Sequence, residues 1–159
     1  MKPLLPQRAD YQAAATLLVQ AGQGLLSTQS KAHPGFPFGS LTPYQLSPEG
    51  TPVVWISALA QHSQNLLADP QVCLTCLAEG PSRDRARLSL LSLAQRRTED
   101  MDLLRRNYLT LYPEAQIYLQ LPDFAPFELV PQQAYYIGGF GKALWLEVPE
   151  LLPQVIDLI

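Results

Sequence analysis

The stretch VVWISALAQHSQNLL, residues 53 to 67, decides the fold. It begins as a strand, because residues 53–56 form a short run of β-branched and aromatic side chains. Its period then changes, because the pattern from Leu59 to Leu67 repeats at three and four residues, as on one face of a helix. Ser57 stands at the junction, where unpaired backbone N–H groups can bind an anion. The same pattern also fits a strand, a turn and a surface helix with a serine cap.

Composition limits the class of protein. The chain has 159 residues, 47% hydrophobic and 16% charged, which predicts one domain over 1–159 with a substantial core. So little charge argues against disorder and indicates that part of the surface lies in a subunit interface. The net charge of −3 predicts no nucleic-acid partner, and no apolar run reaches the roughly 18 residues that cross a membrane. The opening MKPLLPQRAD does not read as a signal peptide, so we expect a cytoplasmic protein.

The two cysteines, Cys73 and Cys76, form a C-x-x-C pair within VCLTCLAEG. This spacing occurs in redox pairs and in half of a zinc site. The surrounding residues instead indicate a strand, on which positions three apart point to opposite faces. We therefore expect inert, partly buried thiols and no metal site.

Periodicity and turn residues predict the other elements. Helices are expected at 9–22 with Gly22 as C-cap, at 98–112 with Thr98 as N-cap, and at 151–159 with Pro153 in the first turn. Residues 32–41 are expected to form a loop or a distorted edge strand. Strands are expected at 24–30, 41–46, 52–57, 71–79, 86–97, 115–121, 126–132 and 134–148. The fold class is therefore mainly β with flanking helices (α+β), an antiparallel barrel that binds any ligand outside its filled interior.

Several motifs carry a resemblance to a known family. They are GFPFGSLTPY (35–44), WISALAQHSQNLLADPQV (55–72), RLSL (87–90), YPEAQIYLQLPDFAPFEL (112–129) and YIGGFGKA (136–143). Through them the chain resembles the split β-barrel FMN-binding proteins related to pyridoxamine 5′-phosphate oxidase, especially the haem-utilisation branch often called HugZ-like. The resemblance covers about residues 10–146. It implies a split antiparallel β-barrel of the FMN-binding type and a homodimer whose two FMN sites are each shared by both subunits.

The resemblance also implies which residues hold the flavin. The strand that contains Phe38, Gly39, Ser40 and Leu41 would lay its backbone along the flavin ring. The turn and helix that contain Ser57, Gln61, His62 and Asn65 would hold the ribityl phosphate. Arg85 or Arg87 would supply the positive charge that a phosphate dianion needs.

The chain departs from the family pattern in three places. Gln61-His62 stands where the pyridoxamine-phosphate oxidases carry an Arg-Lys pair. Their C-terminal Trp/Arg substrate segment has no counterpart. The haem-degrading members ligate iron through a histidine in a C-terminal extension, whereas no histidine follows His62 here. Haem ligation of that kind would need another histidine.

Each candidate residue also has a purely structural interpretation. His62 could donate to a phosphate or could be a helix-surface histidine bonded to a carbonyl. His33 is expected to be exposed and without a role, and Asp123 to belong to a turn. Arg83, Arg85 and Arg87 share one face of a strand, either as a phosphate clamp or as a solvated stripe. The Tyr135, Tyr136 and Phe140 cluster fits the core or a dimer interface.

Three hypotheses follow from the sequence. The first is an FMN-dependent oxidoreductase, whose cofactor would carry the chemistry because no nucleophile–base–acid set is recognisable. The second is a haem-binding protein without flavin, with His62 as the iron ligand to test. The third is a degenerate, non-catalytic family member. In all three we expect a homodimer, because the aromatic strand residues exceed what one small barrel can bury; these are Tyr118, Phe127, Tyr135, Tyr136 and Trp145.

Overall fold

The computed structural model describes residues 5–80, 84–139 and 141–159. Its helices and strands follow in the order α1 Arg8–Ala21, β1 Gln23–Gln29, β2 Pro37–Pro43, β3 Gln45–Leu46, β4 Pro52–Ser57, α2 Gln61–Ala68, β5 Gln71–Leu77, β6 Arg87–Arg96, α3 Met101–Leu111, a 3₁₀ helix Pro113–Ile117, β7 Phe124–Ile137, β8 Ala143–Leu146 and α4 Val148–Ile156.

The strands form one antiparallel sheet in the order β2-β1-β5-β6-β7-β4-β3, and β8 adds to β7. The two ends of this path are β2 and β3, which are consecutive in the chain and separated only by Tyr44. The extended segment that comprises β2, Tyr44 and β3 therefore pairs with β1 through β2 and with β4 through β3. This arrangement is a split barrel, and it confirms the fold class expected from the sequence.

The barrel interior is apolar because alternate residues of each strand point inward. One cross-strand row shows the pattern, since Leu26 pairs with Leu74, Leu74 with Leu90, and Leu90 with Ala134. All four are fully buried. Each buried leucine of this kind contributes about 1.5–3 kcal/mol through removal of its side chain from water.

The N-terminal helix α1 packs its Ala14, Ala15 and Leu18 face into the same core and contacts α4. It ends at Gly22, whose φ of 66° is the left-handed conformation that glycine adopts at a C-cap. The predicted cap is confirmed. In α4 the prediction for Pro153 is wrong, because Pro149 takes the first turn and Pro153 lies inside the helix.

A second, smaller cluster lies under α3. Trp55 packs on the buried ring of Tyr108, with centroids 6.1 Å apart, and Leu104, Ala115 and Leu119 complete the cluster. This cluster explains why the strand predicted at 115–121 is wrong. Ala115 and Leu119 are buried four residues apart, a helical spacing, while Ile117 is 81% exposed.

Helix α3 begins three residues later than predicted. Its N-cap is Asp100 and not Thr98, with a φ of 54° and no side-chain cap hydrogen bond. The Asp100 carboxylate pairs instead with Arg97 at 3.2 Å. Leu104 and Tyr108 are buried as the helix spacing indicated.

Strand β7 is one long strand where two were predicted. It contains Pro131, and the pairing register with β6 shifts between Leu91 and Ser92, opposite that proline. Alternation along β7 separates the neighbouring tyrosines. Tyr136 is 5% exposed in the core, whereas Tyr135 stacks on Trp145 outside, with centroids 4.7 Å apart. Phe127 is also buried within the single chain, and Phe140 lies outside the described residues.

The two cysteines point to opposite faces of β5, as expected. Cys76 is buried and its thiol lies 3.4 Å from the Tyr44 hydroxyl, whereas Cys73 is half-buried on the outer face. They cannot join in one disulfide or in one metal site. None of the helices in the described part of the chain is long and apolar enough to span a membrane.

Candidate cofactor site

The strand β2 and the helix α2 meet through one side-chain contact. The Ser40 hydroxyl lies 3.1 Å from Nδ1 of His62, and α2 packs against β1 and β2. Burial lowers the pKa of His62, so its imidazole is neutral at pH 7. Its other ring nitrogen, Nε2, is buried and has no hydrogen-bond partner within the described residues. The structure thus brings together two of the predicted site residues and leaves one polar atom of the pair unsatisfied.

Asn65 connects α2 to the start of the β1–β2 connection. Its amide oxygen accepts from the backbone N–H of Lys31 at 3.0 Å and from the Gln61 side chain at 2.8 Å. Its amide nitrogen donates to the Thr28 hydroxyl at 3.0 Å. Because Asn65 is fully buried and so bonded, its side chain joins α2 to β1 and to the segment that follows it. The role of Asn65 toward a phosphate stays a prediction.

Ser57 organises the turn before α2. Its hydroxyl donates to the carboxylate of Asp123 and accepts from the backbone N–H of Leu59 at 3.1 Å. The backbone N–H of Ala58 donates to the carbonyl of Asp123 at 2.8 Å. Asp123 is therefore a turn residue, as predicted, and it engages the Ser57 hydroxyl. The role of Ser57 toward a phosphate stays a prediction.

The first turn of α2 has the chemistry of a weak anion site. Ala60 is the N-cap and provides no side-chain cap, so the first N–H groups of the helix depend on water or a ligand. Ser63, in the same turn, is 1% exposed, and its hydroxyl has no partner in the described structure. These unsatisfied donors fit the phosphate of FMN, but the neutral Gln61 and His62 give it no charge.

Strand β2 presents its backbone to a flat ligand. It pairs only with β1 within the described sheet, so alternate N–H and C=O groups face away from the sheet. Phe38, Gly39 and Leu41 are exposed, and a Cβ at Gly39 would lie 3.2 Å from the Leu25 side chain. A larger residue at Gly39 would displace Leu25. The role of Phe38, Gly39, Ser40 and Leu41 in flavin binding stays a prediction.

The arginines lie far from this turn within one chain. Arg87 is the first residue of β6. Thr28, which bonds to Asn65 of α2, pairs with Val72, and Val72 pairs with Ser92. Ser92 is therefore the β6 residue in the same cross-strand row as Thr28. Five residues of strand separate the two positions by about 16 Å. Arg87 is exposed and Arg85 donates to the carbonyl of Ala78 at 3.4 Å. Arg83 lies outside the described residues. A phosphate clamp from Arg85 or Arg87 would therefore have to come from a partner subunit.

The outer side of the sheet carries several exposed apolar side chains. One cross-strand row contains Leu41, Leu25, Thr75, Ser89, Tyr135 and Trp145, and the next contains Gly39, Ser27, Cys73, Leu91 and Gln133. We call these eleven residues the outward sheet face. Leu41 is 68% exposed and Trp145 is 54% exposed, so the face leaves large apolar side chains in water.

Sequence reasoning missed Thr28 and Lys31. Thr28 could have been found from alternation, because it occupies an inward position on β1 between Leu26 and Ser30. Lys31 takes part through its backbone N–H, and no pattern of side chains marks such a contact.

The chain matches one protein-family model and one curated relative. A family model described as "CREG, beta-barrel" matches residues 6–151. The chain is 31% identical over 121 residues to a chloroplastic heme oxygenase, HOZ, of Arabidopsis thaliana, covering 76% of this chain and 37% of that protein.

Two solved structures share the fold. A heme binding protein from Mycobacterium smegmatis superposes with a TM-score of 0.81 at 26% identity, over 94% of this chain and 62% of that chain. A pyridoxinephosphate oxidase family protein from Clostridium acetobutylicum superposes with a TM-score of 0.69 at 12% identity, over 92% and 99%, and shares the fold alone. The chain thus spans about a third of the plant relative and under two thirds of the mycobacterial one.

Proposed function

Because this chain belongs to the CREG β-barrel family, within the split barrels that resemble pyridoxamine 5′-phosphate oxidase, we propose that it binds haem as a homodimer. Two relatives are named for haem, the plant heme oxygenase and the mycobacterial heme binding protein. Each is longer than this chain, so their names support a ligand class and not a whole activity. A cytoplasmic location stays a prediction.

The charge at the α2 turn favours haem over FMN and carries the proposal. Haem presents a large apolar ring system with carboxylates at one edge, whereas FMN ends in a phosphate dianion that needs compensating charge. Within one chain the turn offers His62, which is neutral, and the uncharged Gln61. The turn that would hold the phosphate of FMN therefore lacks the charge that FMN needs, and haem, the ligand named for two relatives, is the better supported ligand of this chain.

The homodimer is supported by the outward sheet face. Its exposed leucines lie on β1, β2 and β6 and Trp145 lies on β8, all on the same side of the sheet, with Thr75 and Ser89 between them. Stable interfaces of obligate dimers bury about 2,000 Å² or more and are apolar at the centre. A second copy of this chain is the partner that such a surface fits best, through an isologous contact.

FMN is the second candidate, and one observation favours it. The first turn of α2 has no side-chain cap, so its backbone N–H groups offer hydrogen bonds that a phosphate could satisfy. An oxidoreductase would follow from that cofactor. A degenerate family member that keeps only the dimeric fold is the third outcome.

Parallel titrations of one purified preparation separate these outcomes. The protein at micromolar concentration is titrated with hemin, followed at the Soret band, and with FMN, followed by flavin fluorescence. The proposal expects saturable binding of hemin at one site per chain and weak or no binding of FMN. Tight FMN binding without hemin binding would contradict it. Binding of neither ligand would leave the degenerate member.

A further inference from the structure

The β1–β2 loop, residues 30–36, is held in a fixed conformation. The backbone N–H of Ser30 donates to the carbonyl of Phe36 at 2.9 Å, and Phe36 N–H donates to the carbonyl of His33 at 3.2 Å. The Ser30 hydroxyl accepts from the His33 N–H at 3.0 Å. Asn65 accepts from Lys31 N–H at 3.0 Å. These bonds close the loop on itself and attach it to α2, so His33 stands on a preorganised turn.

An open surface cavity of about 340 Å³ lies between this loop and the start of β2. Its lining is Ser30, His33, Phe36, Pro37 and Phe38. Phe36 is 69% exposed and Phe38 is 36% exposed, so both rings have faces that nothing in the described structure covers. Exposed aromatic rings beside a cavity are the surface that a flat apolar ligand can cover.

The imidazole of His33 is available to a metal ion. The residue is exposed, and its ring nitrogens have no hydrogen-bond partner within the described residues. His62 differs, because Nδ1 is engaged by Ser40 and Nε2 is buried. Iron could reach His62 only after α2 or β2 had moved. Of the two histidines, the structure therefore favours His33 for ligation.

Lys31 adds a positive charge to the same loop. Its side chain is exposed and makes no ion pair with a carboxylate of the described residues. Lys31 precedes His33 by two positions in the sequence, on the same loop. It can pair with a carboxylate at the edge of a ligand that is bound through the imidazole.

We propose that the β1–β2 loop is a haem-iron site. The His33 imidazole is the axial ligand, the rings of Phe36 and Phe38 pack on the macrocycle, and Lys31 pairs with a propionate. The inference rests on the proposed haem binding and names the residues that perform it. It replaces His62, the ligand considered from the sequence, with the histidine for which no role was expected.

The test compares hemin titrations of the wild type with those of single variants. His33→Ala should weaken hemin binding about tenfold or more and shift the Soret band, because the axial nitrogen is lost. Resonance Raman spectra of the reduced complex should lose the iron–histidine stretch. Added imidazole should restore the wild-type spectrum of His33→Ala. Phe36→Ala should weaken binding about threefold or more without changing the ligation signature.

His62→Gln is the matched control, since it removes the other imidazole. It should keep the wild-type Soret position and the iron–histidine stretch. Circular dichroism of each variant checks that the fold persists, and His33 is exposed enough to be replaced without loss of packing. A wild type that binds hemin while His33→Ala keeps its spectrum and affinity would overturn this inference and leave the proposed function standing. A wild type that binds no hemin removes both.

Discussion

The buried carboxamide of Asn65 accepts a hydrogen bond from the backbone N–H of Lys31 at 3.0 Å, across 34 residues of sequence. This bond joins the helix α2 to the β1–β2 loop. The loop contains His33, so the geometry of the proposed iron ligand depends on a side chain that does not touch the cavity. Asn65 is thus a positioning residue for the site.

Replacing Asn65 with alanine should lower the free energy of unfolding by about 2–4 kcal/mol, because three hydrogen bonds to a fully buried amide are lost. Urea denaturation followed by circular dichroism measures the change. Gln64→Ala, on the exposed side of the same helix, is the control and should change stability by less than about 0.5 kcal/mol. Equal effects of the two substitutions would contradict the role of Asn65.

The ion pair between Asp10 and Lys142 should make the fold sensitive to acid. Lys142 donates to the Asp10 carboxylate, and this bond holds the pKa of Asp10 below its ordinary 3.8. A group with a lowered folded-state pKa stabilises the protein above its unfolded pKa and loses that contribution as the pH falls through the folded value. The wild type should therefore lose stability as the pH falls below about 4.

Asp10→Asn tests this dependence, since asparagine can still accept from the Gln7 N–H. The variant should be about 1 kcal/mol less stable at pH 7, a value kept small because Lys142 is 40% exposed. Its stability should fall less steeply below pH 4. Asp157→Asn, at an exposed carboxylate near the end of α4, should follow the wild-type curve. Parallel curves for wild type and Asp10→Asn would exclude a contribution from this pair.

The two thiols should differ in reactivity. Burial raises the pKa of Cys76 to about 11, so about one thiol in a thousand is ionised at pH 8. Cys73 lies on the outward sheet face, which the proposed dimer covers. Native protein should therefore react slowly at both positions with a thiol-specific reagent, and both should react in urea. Rapid modification of Cys76 in the native protein would contradict the burial of this side chain.

A charge on the outward sheet face should dissociate the proposed dimer. Leu91 is 39% exposed within one chain, so Leu91→Lys should leave the fold intact. Two lysines per dimer would enter an apolar contact and weaken association by about a hundredfold or more. Cys73, paired with Leu91 across the strands, should then become reactive. Leu103→Lys on α3 is the control and should remain associated.

A charge at Tyr136 would not test association. The sequence left the core and a dimer interface open for this residue, which lies among aromatic strand residues. The structure places it inward at 5% exposure, so Tyr136→Asp would destroy the core and would say nothing of association. Sequence alternation identifies two faces of β7, but it does not say which face is inside.

Local patterns were sufficient for most of the fold. The run at 53–57 and the change of period after it gave β4 and α2, and Gly22 gave the end of α1. The strand predicted at 115–121 was wrong. Its alternate apolar residues match a strand, but the packing of Ala115 and Leu119 in one cluster with Trp55 and Tyr108 stabilises a helical turn. Tertiary packing overrides local pattern in such short segments.

The candidate site was only partly accessible from sequence. The resemblance implied that the strand around Ser40 and the helix around His62 hold different parts of the flavin. The direct contact between these two side chains, at 3.1 Å, was not predicted. The exposure of His33 was predicted from its place in a loop and is confirmed. The burial of His62 Nε2 depends on how α2 packs against β2, which the spacing of the two histidines does not encode.

Sedimentation velocity in the presence of hemin tests the central claim most directly. The protein at micromolar concentration is followed at 280 nm and at the Soret band in the same run. The account predicts one boundary at both wavelengths, with the mass of two 17.6 kDa chains. Haem absorbance that remains unsedimented, or that moves with a single 17.6 kDa chain, would contradict a haem-binding homodimer.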